Sequence, residues 1–372
     1  MKRFKIILLS FLCIILLCGC SNKDNRTVIQ FSSWGSKTET DILKPLLSDF
    51  EKENPDIHVD FMHIPQNYFQ KIHLLFASNT APDVIFINNL YLPLYANVLE
   101  ELQTDQNFYP QALEAMSVSG KLYAIPRDVS NLVIYYNKDI FDKKHIPYPK
   151  PNWTFDEFLN TAIKLTDNNT FGISFEEDPL FYLPYLMSNG GGILPNEINS
   201  RESQSSLDFY ANLRNKYHVA PKKHESASAT QAQMFLQGKL AMYLSGRWMV
   251  PKLREEANFD WDIINFPNGS EGSIVQLDAS GWAISRSSKH KNEAKKLIEF
   301  LSSKQSSEKF SKSGLIIPAR QDCAEFIQDN KKPENANIFI NIISTSKPTP
   351  VTKDYREITD KLKKDMEAKF NL

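Results

Sequence analysis

Strand-like and helix-like segments alternate between residues 28 and 87. Alternating or continuous apolar residues predict strands at Val28–Phe31, Ile57–Phe61 and Val84–Ile87. Apolar residues between them recur at helical spacing, at Ile42, Leu46 and Phe50 and then at Tyr68, Ile72, Leu75 and Phe76. Such an alternation predicts an α/β fold with a mainly parallel sheet and helices on both of its sides. Ligands of such sheets bind beyond the carboxyl ends of the strands, where Trp34 and Asn88-Asn89 lie.

The middle of the chain continues with strands and helices. Leu132–Tyr136 is predicted to be a strand, and Thr154 and Glu157 have the spacing of a capping box in which Trp153 and Phe158 form the hydrophobic staple. Further helices are predicted at 158–165, 207–217 and 231–236, and a strand at 240–244 precedes a turn and a helix that begins near Arg247-Trp248. Phe259, Trp261 and Ile263 alternate as another strand, which places Trp261 in the core and leaves Asp260 and Asp262 on an exposed face.

The N-terminus has the pattern of an export signal. Lys2, Arg3 and Lys5 precede an apolar run, Ile6–Leu17, which is shorter than the about 20 residues that a membrane-spanning helix needs. Leu17-Cys18-Gly19-Cys20 resembles the lipobox of bacterial lipoproteins. The resemblance implies a signal peptide at 1–19, lipidation of Cys20 and a tether at 20–26, with the protein anchored to the outer face of the cytoplasmic membrane or within the periplasm. An ordinary secretory signal is the alternative.

Composition narrows the functional class. With 43 basic and 44 acidic residues the formal net charge is -1, which gives no electrostatic case for nucleic-acid binding. Cys323 would be the one cysteine left after processing and lipidation, so no disulfide can form within the mature chain. The histidines form neither His-Glu-x-x-His nor a short Cys/His cluster, and no cofactor motif is present; we therefore predict no metal and no cofactor.

A series of short motifs identifies a family. In chain order they are Trp34, Phe50–Pro55, Ala81–Val84, Gly120–Pro126, Tyr135–Lys138, Trp153–Phe158, Phe235–Met242, Gly281–Ile284, Ala294–Phe300 and Gly314–Pro318. Their order resembles that of the family 1 extracellular solute-binding proteins, the maltose-binding-protein-like lipoprotein receptors of ABC sugar importers. The resemblance extends over nearly the whole mature chain.

This resemblance implies a two-lobed, periplasmic-binding-protein-like fold of type II, with mixed sheets flanked by helices. The chain would cross between the lobes three times, near 127–133, 278–284 and 318–320. Lobe 1 would comprise 27–130 and 279–319, and lobe 2 would comprise 131–278 and 320–372. The implied protein is a monomer that is not an enzyme, closes on its ligand and delivers it to the permease subunits of an ABC transporter.

A carbohydrate ligand requires particular residue types. A pyranose has apolar C–H faces and a rim of hydroxyls, which suit aromatic platforms and planar polar side chains. The residues of these types at strand ends and predicted crossings are Trp34, Asn89, Arg127, Asp128, Trp248, Asp278 and Trp282. A structural role is the alternative for each of them: packing for the tryptophans, ion pairing for Arg127 and Asp128, and helix capping for Asn89.

Two other functions compete with this interpretation. Convergence of Arg127, Arg247 and Arg320 would favour glycerol 3-phosphate or an acidic sugar, whereas neutralisation by Asp128 or Asp278 would favour a neutral sugar. A surface-anchored glycan hydrolase is the other alternative. The chain has no Gly-x-Ser-x-Gly elbow, and its Ser-x-x-Lys match at 306–309 lacks the companion motifs of the serine enzymes that use it.

Overall fold

The computed structural model describes residues 26–104, 107–226, 229–328 and 331–371. Its strands are β1 Thr27–Ser33, β2 Ile57–His63, β3 Val84–Asn88, β4 Ser117–Val118, β5 Lys121–Leu122, β6 Ile125–Ser130, β7 Leu132–Asn137, β8 Phe171–Ile173, β9 Leu240–Gly246, β10 Trp261–Ile264, β11 Gln276–Ile284, β12 Ile317–Pro318 and β13 Lys347–Pro348. Its α-helices are α1 Lys37–Glu53, α2 Tyr68–Ala77, α3 Leu92–Tyr95, α4 Pro110–Ala115, α5 Lys138–Lys143, α6 Phe155–Leu165, α7 Pro179–Met187, α8 Arg201–Asn215, α9 Gln231–Leu236, α10 Val250–Glu256, α11 Lys291–Leu301, α12 Lys304–Lys312, α13 Ile338–Asn341 and α14 Tyr355–Phe370. Short 3-10 helices lie at Ala96–Val98, Arg247–Met249, Gln321–Ile327 and Ile342–Ser344.

The larger sheet has seven strands in the order β12-β6-β11-β3-β1-β2, with β13 beside the start of β11. The predicted strands near residues 28, 57 and 84 are all present, and β1 pairs with β2 and β3 in parallel. The expectation of a mainly parallel sheet is wrong beyond β3, because β11 is antiparallel to both β3 and β6, and β12 is antiparallel to β6. These strands come from later segments that enter the sheet in the opposite direction. The sheet is therefore mixed.

The smaller sheet has four strands in the order β10-β7-β9-β8. In its centre β7 is antiparallel to β9 and β10, while β8 is parallel to β9. The two sheets and their helices give the chain the two-lobed α/β architecture, and we name the lobes by their sheets, larger and smaller.

The chain passes between the sheets at defined strands. Asn131 alone separates β6 of the larger sheet from β7 of the smaller one, and its side-chain amide donates to the carbonyl of Phe339 at 2.9 Å. Strand β11 begins beside β13 and continues into the larger sheet from Asp278. The 3-10 helix Gln321–Ile327 packs on α12 of the larger lobe, so the chain stays with that lobe past the predicted boundary at 319.

Local sequence explains the ends of several helices. The Ser36 hydroxyl accepts from the amide of Glu39 at the start of α1, which buries Leu43, Leu46 and Phe50. The predicted capping box of α6 is confirmed, because the Thr154 hydroxyl accepts from the Glu157 amide at 3.2 Å while the Glu157 carboxylate accepts from the Thr154 amide at 2.8 Å.

One predicted exposed residue is buried. Trp261 lies in the core as predicted, but Asp262 is only 2% exposed. Its carboxylate accepts hydrogen bonds from the backbone amide and the side-chain amide of Asn335, at 3.0 and 2.8 Å. A later segment of the chain thus covers the strand face that local alternation assigned to solvent. Asp260 remains partly exposed and pairs with Lys138 and Lys332.

The predicted signal peptide at 1–19, the lipidation site Cys20 and the tether up to residue 25 lie outside the described residues. Within the described ranges, no helix combines the length and apolar character that a membrane span requires. The same ranges contain no cluster of three or more His, Cys, Asp or Glu side chains placed to hold a metal ion. Cys323 is buried, and burial raises the pKa of its thiol to about 11.

Candidate functional site

A cavity of about 800 Å³ lies between the two lobes. Its volume is within the range of small-molecule binding sites. Residues of α2, of α3 and of the segment before α3 form one wall, among them Phe69, His73, Tyr91 and Leu94. Residues at the starts of α7 and α14 form the facing wall, among them Asp178, Leu180, Tyr355 and Arg356. A molecule in this cavity would therefore contact both lobes.

Aromatic rings line this cavity, which is the larger of two cavities at the cleft and is called the larger cavity below. Phe69 and Tyr91 stack with their centroids 3.6 Å apart and their planes at 10°. Tyr355 belongs to the opposite wall, and burial, followed by the nearby Asp278 and Asp178 carboxylates, raises the pKa of its hydroxyl. The Tyr355 hydroxyl thus keeps its proton at physiological pH and can donate a hydrogen bond. The cavity offers flat apolar faces together with polar groups.

Cationic and anionic side chains line the larger cavity in equal number. Lys353, Arg356 and Lys363 line it together with three carboxylates, Asp178, Asp278 and Asp360. Lys363 Nζ lies 2.7 Å from Asp178 Oδ2, and Arg356 Nε lies 3.7 Å from Asp360 Oδ2. The cavity therefore carries no cluster of unmatched cations that would demand an anionic ligand.

Asp278 and Asn89, both predicted site residues, are bonded to each other. Asn89 Nδ2 donates to Asp278 Oδ1 at 3.0 Å, and the Thr349 hydroxyl donates to the same oxygen at 2.6 Å. Asp278 lines the larger cavity, and burial raises its pKa while these two hydrogen bonds oppose the rise. Asn89 is completely buried and also accepts from the Ala279 amide, so it holds the crossing strand β11 and positions Asp278. The capping role considered for Asn89 is absent, because α3 has Tyr91 as its N-cap and no side-chain cap bond; Asn88 instead closes a local turn by accepting from the Tyr91 amide.

Trp34 and Trp248 line a second cavity of about 750 Å³. Trp248 of the smaller lobe is 39% exposed, and its ring lies against the backbone of Gly246. Trp34 packs on Tyr68, Phe69 and Phe86 at centroid distances of 5.0, 5.3 and 4.2 Å, so its ring supports the larger lobe as well as lining the cavity. Since Phe69 also lines the larger cavity, the two cavities are neighbours.

Arg127 and Asp128 form a buried ion cluster instead of projecting into either cavity. Arg127 is 5% exposed, donates to Glu39 Oε1 through Nη1, and donates through Nε to Asp128 Oδ1 at 2.6 Å. Its guanidinium lies 4.2 Å from the Phe86 ring centroid. Burial raises the pKa of Asp128 to about 6, although Arg127 opposes the rise. Arg127 and Asp128 thus form an ion pair with each other, which was the alternative to a ligand contact.

Trp282 does not reach the cleft. It is fully buried in the larger lobe, where its ring lies 5.4 Å from Phe31 and 4.6 Å from Phe86. Its strand β11 is central in the sheet and covered on both faces, which explains the burial. We therefore leave Trp282 out of the proposed site as a packing residue.

The three arginines considered for an anionic ligand do not converge. Arg127 is matched by Glu39 and Asp128, and Arg320 makes a bidentate pair with Asp322 at 2.9 and 2.7 Å. Arg247 is buried and donates to the carbonyl of Ile327 at 3.3 Å.

Sequence reasoning missed several lining residues. Tyr91 lies two residues after Asn89, so the strand-end argument could have included it. Asp178 caps α7 by accepting from the Leu180 amide at 3.0 Å. The pair Asp178-Pro179 is a sequence signal for the start of a helix and could have been recognised. No local signal marks Glu39, Phe69 or Tyr355, because helices brought together by the fold place them at the cavities.

Two lobes that enclose a mixed aromatic and polar cavity define the class of two-lobed solute-binding proteins. The chain belongs to the family described as bacterial extracellular solute-binding proteins, whose family model matches residues 34–308. Members of this family are exported transport proteins.

Individual relatives cover nearly the whole chain. The maltodextrin-binding protein of Bacillus subtilis is 25% identical over 96% of this chain and 89% of its own length. The galactooligosaccharide-binding protein of the same organism is 23% identical over 96% of this chain and 90% of its own length. A solved ABC substrate-binding protein from Listeria monocytogenes, in complex with cycloalternan, superposes with a TM-score of 0.84 at 27% identity, covering 93% of this chain and 94% of that one.

Proposed function

We propose that this protein captures a neutral carbohydrate between its two lobes and delivers it to an ABC importer. The observation that carries the proposal is the larger cavity, in which stacked Phe69 and Tyr91 face Tyr355 across the cleft. Aromatic faces suit the C–H patches of a sugar ring, and Asp278, Thr349 and the Tyr355 hydroxyl suit its hydroxyls. The relatives named for maltodextrin and galactooligosaccharide, and the neighbour solved with cycloalternan, support a carbohydrate.

The balance of charge favours a neutral ligand over glycerol 3-phosphate or an acidic sugar. Lys363 and Arg356 already have carboxylate partners within the larger cavity, and Arg127 is neutralised by Glu39 and Asp128. An anion there would have to compete with these carboxylates.

The site residues that we propose come from both lobes. Asp278 and the lining residues Phe69, Tyr91 and Tyr355 would contact a ligand in the larger cavity, and Trp34 and Trp248 would contact it in the second cavity. Because such a ligand touches both walls, it binds the closed arrangement of the lobes more tightly and shifts the population towards closure. The closed form would be the one that the permease subunits bind, with lobes bounded as the sequence predicts except that Gln321–Ile327 stays with the larger lobe.

The proposal also includes a lipid anchor and excludes catalysis. Acyl chains on Cys20 would hold a monomeric mature protein at the membrane, and the protein would alter no bond in its ligand. Mass spectrometry of the mature N-terminus should find an acylated cysteine, and Cys20→Ala should release the protein into the soluble fraction. A free N-terminus at another residue would contradict the anchor.

Isothermal titration calorimetry tests the cargo. The purified protein is titrated with neutral mono- and oligosaccharides, glycerol 3-phosphate and an acidic sugar, and the recovered saccharides are then analysed chromatographically. We expect saturable binding of at least one neutral saccharide, recovered intact. Binding of the anions alone would overturn the neutral assignment, and sustained cleavage of chromogenic glycosides would favour the hydrolase.

A further inference from the structure

Helix α14 begins at the larger cavity and is attached to the smaller lobe mainly at its other end. Of its described residues only Leu362 and Phe370 are buried, and Phe370 is the last residue of the helix. Little apolar burial therefore holds the half of α14 that faces the ligand, and the position of this half depends on how the other end is fixed. The residues of α14 that line the cavity are Tyr355, Arg356, Thr359, Asp360 and Lys363.

The ring of Phe370 attaches the end of α14 to the core of the smaller lobe. It is fully buried, and its centroid lies 5.5, 5.4 and 5.5 Å from the ring centroids of Phe175, Tyr182 and Tyr210. All three contacts are edge-to-face, with interplanar angles of 84°, 68° and 76°, which is a geometry that aromatic pairs favour.

Arg214 of α8 connects this end of α14 to a second element of the cavity wall. It is 4% exposed, and its Nη1 donates to Glu177 Oε1 at 2.9 Å, to Asn371 Oδ1 at 3.0 Å and to the carbonyl of Phe370 at 3.3 Å. Its guanidinium also lies 3.9 Å from the ring centroid of Phe175. The Arg214 cluster is defined as Arg214, Glu177, Phe370 and Asn371.

The Arg214 cluster joins two elements that both reach the larger cavity. Glu177 is followed directly by Asp178, which lines the cavity and caps α7. Asp178 is bonded to α14 as well, because Lys363 Nζ lies 2.7 Å from its Oδ2. The segment before α7 and helix α14 are thus joined twice, once at the cavity and once at the Arg214 cluster. Arg214 itself is absent from the described lining of both cleft cavities, so any effect on a ligand is indirect.

We propose that Arg214 is a positioning residue for ligand binding, which acts through Tyr355 from outside the cleft. By fixing the end of α14 against Glu177, Arg214 holds the start of the helix in the place where the ligand meets it. A side chain that is ordered before binding costs less to order during binding, so such support raises affinity. This inference rests on the proposed carbohydrate function and deepens it.

Calorimetry and hydrogen exchange together test this role. Arg214→Met replaces the side chain by an unbranched apolar one and removes its hydrogen bonds. We expect it to raise the Kd of the saccharide that binds wild type most tightly by about fivefold, which corresponds to ordering about one long side chain on binding. In the free protein, amide exchange should become faster in peptides covering 355–363 and stay at the wild-type rate in peptides covering α1 and α6.

A double-mutant cycle distinguishes positioning from a general loss of stability. If Arg214 acts through Tyr355, Arg214→Met/Tyr355→Ala should bind no more weakly than Tyr355→Ala alone. Additive losses of affinity in the double variant would overturn the proposal, and so would unchanged exchange at 355–363 in Arg214→Met.

Three further variants serve as controls. Arg201→Met makes the same substitution at the exposed first residue of α8 and should change neither the Kd nor the exchange. Leu165→Ala, which opens a cavity in the core of the same lobe, should lower stability in urea and leave the Kd unchanged. Glu177→Ala alters a side chain that is 31% exposed and removes the same link, so it should raise the Kd even if Arg214→Met does not fold.

The outcomes separate the two proposals. If wild type binds saccharides but Arg214→Met and Glu177→Ala bind them with the wild-type Kd, or if Leu165→Ala raises the Kd as much as they do, the positioning role is refuted while the carbohydrate function stands. If wild type binds none of the saccharides in the calorimetric panel, the carbohydrate function fails and the positioning role fails with it.

Discussion

Replacement of Gly246 by alanine should weaken ligand binding by moving Trp248. A Cβ atom on Gly246 would lie 2.0, 2.4 and 2.5 Å from three carbons of the Trp248 ring. Normal carbon contacts are about 3.5 Å or more, so the ring edge must move by about 1.5 Å. Gly246 has φ -105° and ψ -179°, which alanine adopts without strain, so the ring is the part that gives way.

The size of the effect follows from the exposed part of Trp248. An exposure of 39%, applied to a side chain that can bury up to about 250 Å², leaves about 100 Å² for a ligand to cover. At about 25 cal/mol per Å² this area is worth at most about 2.5 kcal/mol. A sugar covers one face of the ring, so we expect a loss of about 1 kcal/mol, or about fivefold in Kd.

Calorimetry with the saccharide that binds wild type most tightly measures this loss, and thermal unfolding checks the fold. The double variant Gly246→Ala/Trp248→Ala is the decisive control, since it should bind no more weakly than Trp248→Ala alone. Wild-type affinity in Gly246→Ala, or additive losses in the double variant, would refute the reasoning.

Three further substitutions test other parts of the structure. Trp34→Ala should destabilise the protein by about 3 kcal/mol in urea unfolding, because its ring packs on three aromatic neighbours; a loss of binding with unchanged stability would contradict this. Burial and the nearby Asp178 charge raise the pKa of Glu176 from 4.5 to about 7. The folded state therefore binds the Glu176 proton more tightly than the unfolded state does. The stability that Glu176 contributes is lost as pH rises from about 4.5 through 7. Glu176→Gln should therefore be more stable than wild type by about 1 to 2 kcal/mol at pH 8 and equally stable at pH 4; an equal difference at both pH values would count against it. Thr154→Ala should cost about 1 kcal/mol through its capping box and leave saccharide affinity unchanged, and a changed Kd would show that this helix end is coupled to the cleft.

Local sequence patterns predicted the elements of the fold well. The strands near residues 28, 57, 84, 132 and 240 and the capping box of α6 follow from periodicity and cap residues, which act over a few positions. The mixed direction of the larger sheet did not follow from the first segments, because β6, β11 and β12 join it from later parts of the chain. Asp262 shows the same limit, since Asn335, which buries it, lies far along the sequence.

The site was only partly predictable for the same reason. Trp34, Trp248 and Asp278 could be selected because strand ends and crossings place them at the cleft. Residue type alone did not distinguish them from Trp282, which the sheet buries, or from Arg127, which Glu39 of another helix neutralises. The partners that decide between a ligand contact and a structural role are distant in sequence.

A crystal structure of the protein grown with the saccharide that binds most tightly in calorimetry tests the central claim most directly. We expect density for an intact sugar between the Phe69–Tyr91 stack and Tyr355, extending towards Trp248 if the ligand is long. Density for the saccharide on an outer surface, with the cleft between the lobes filled only by solvent, would contradict it.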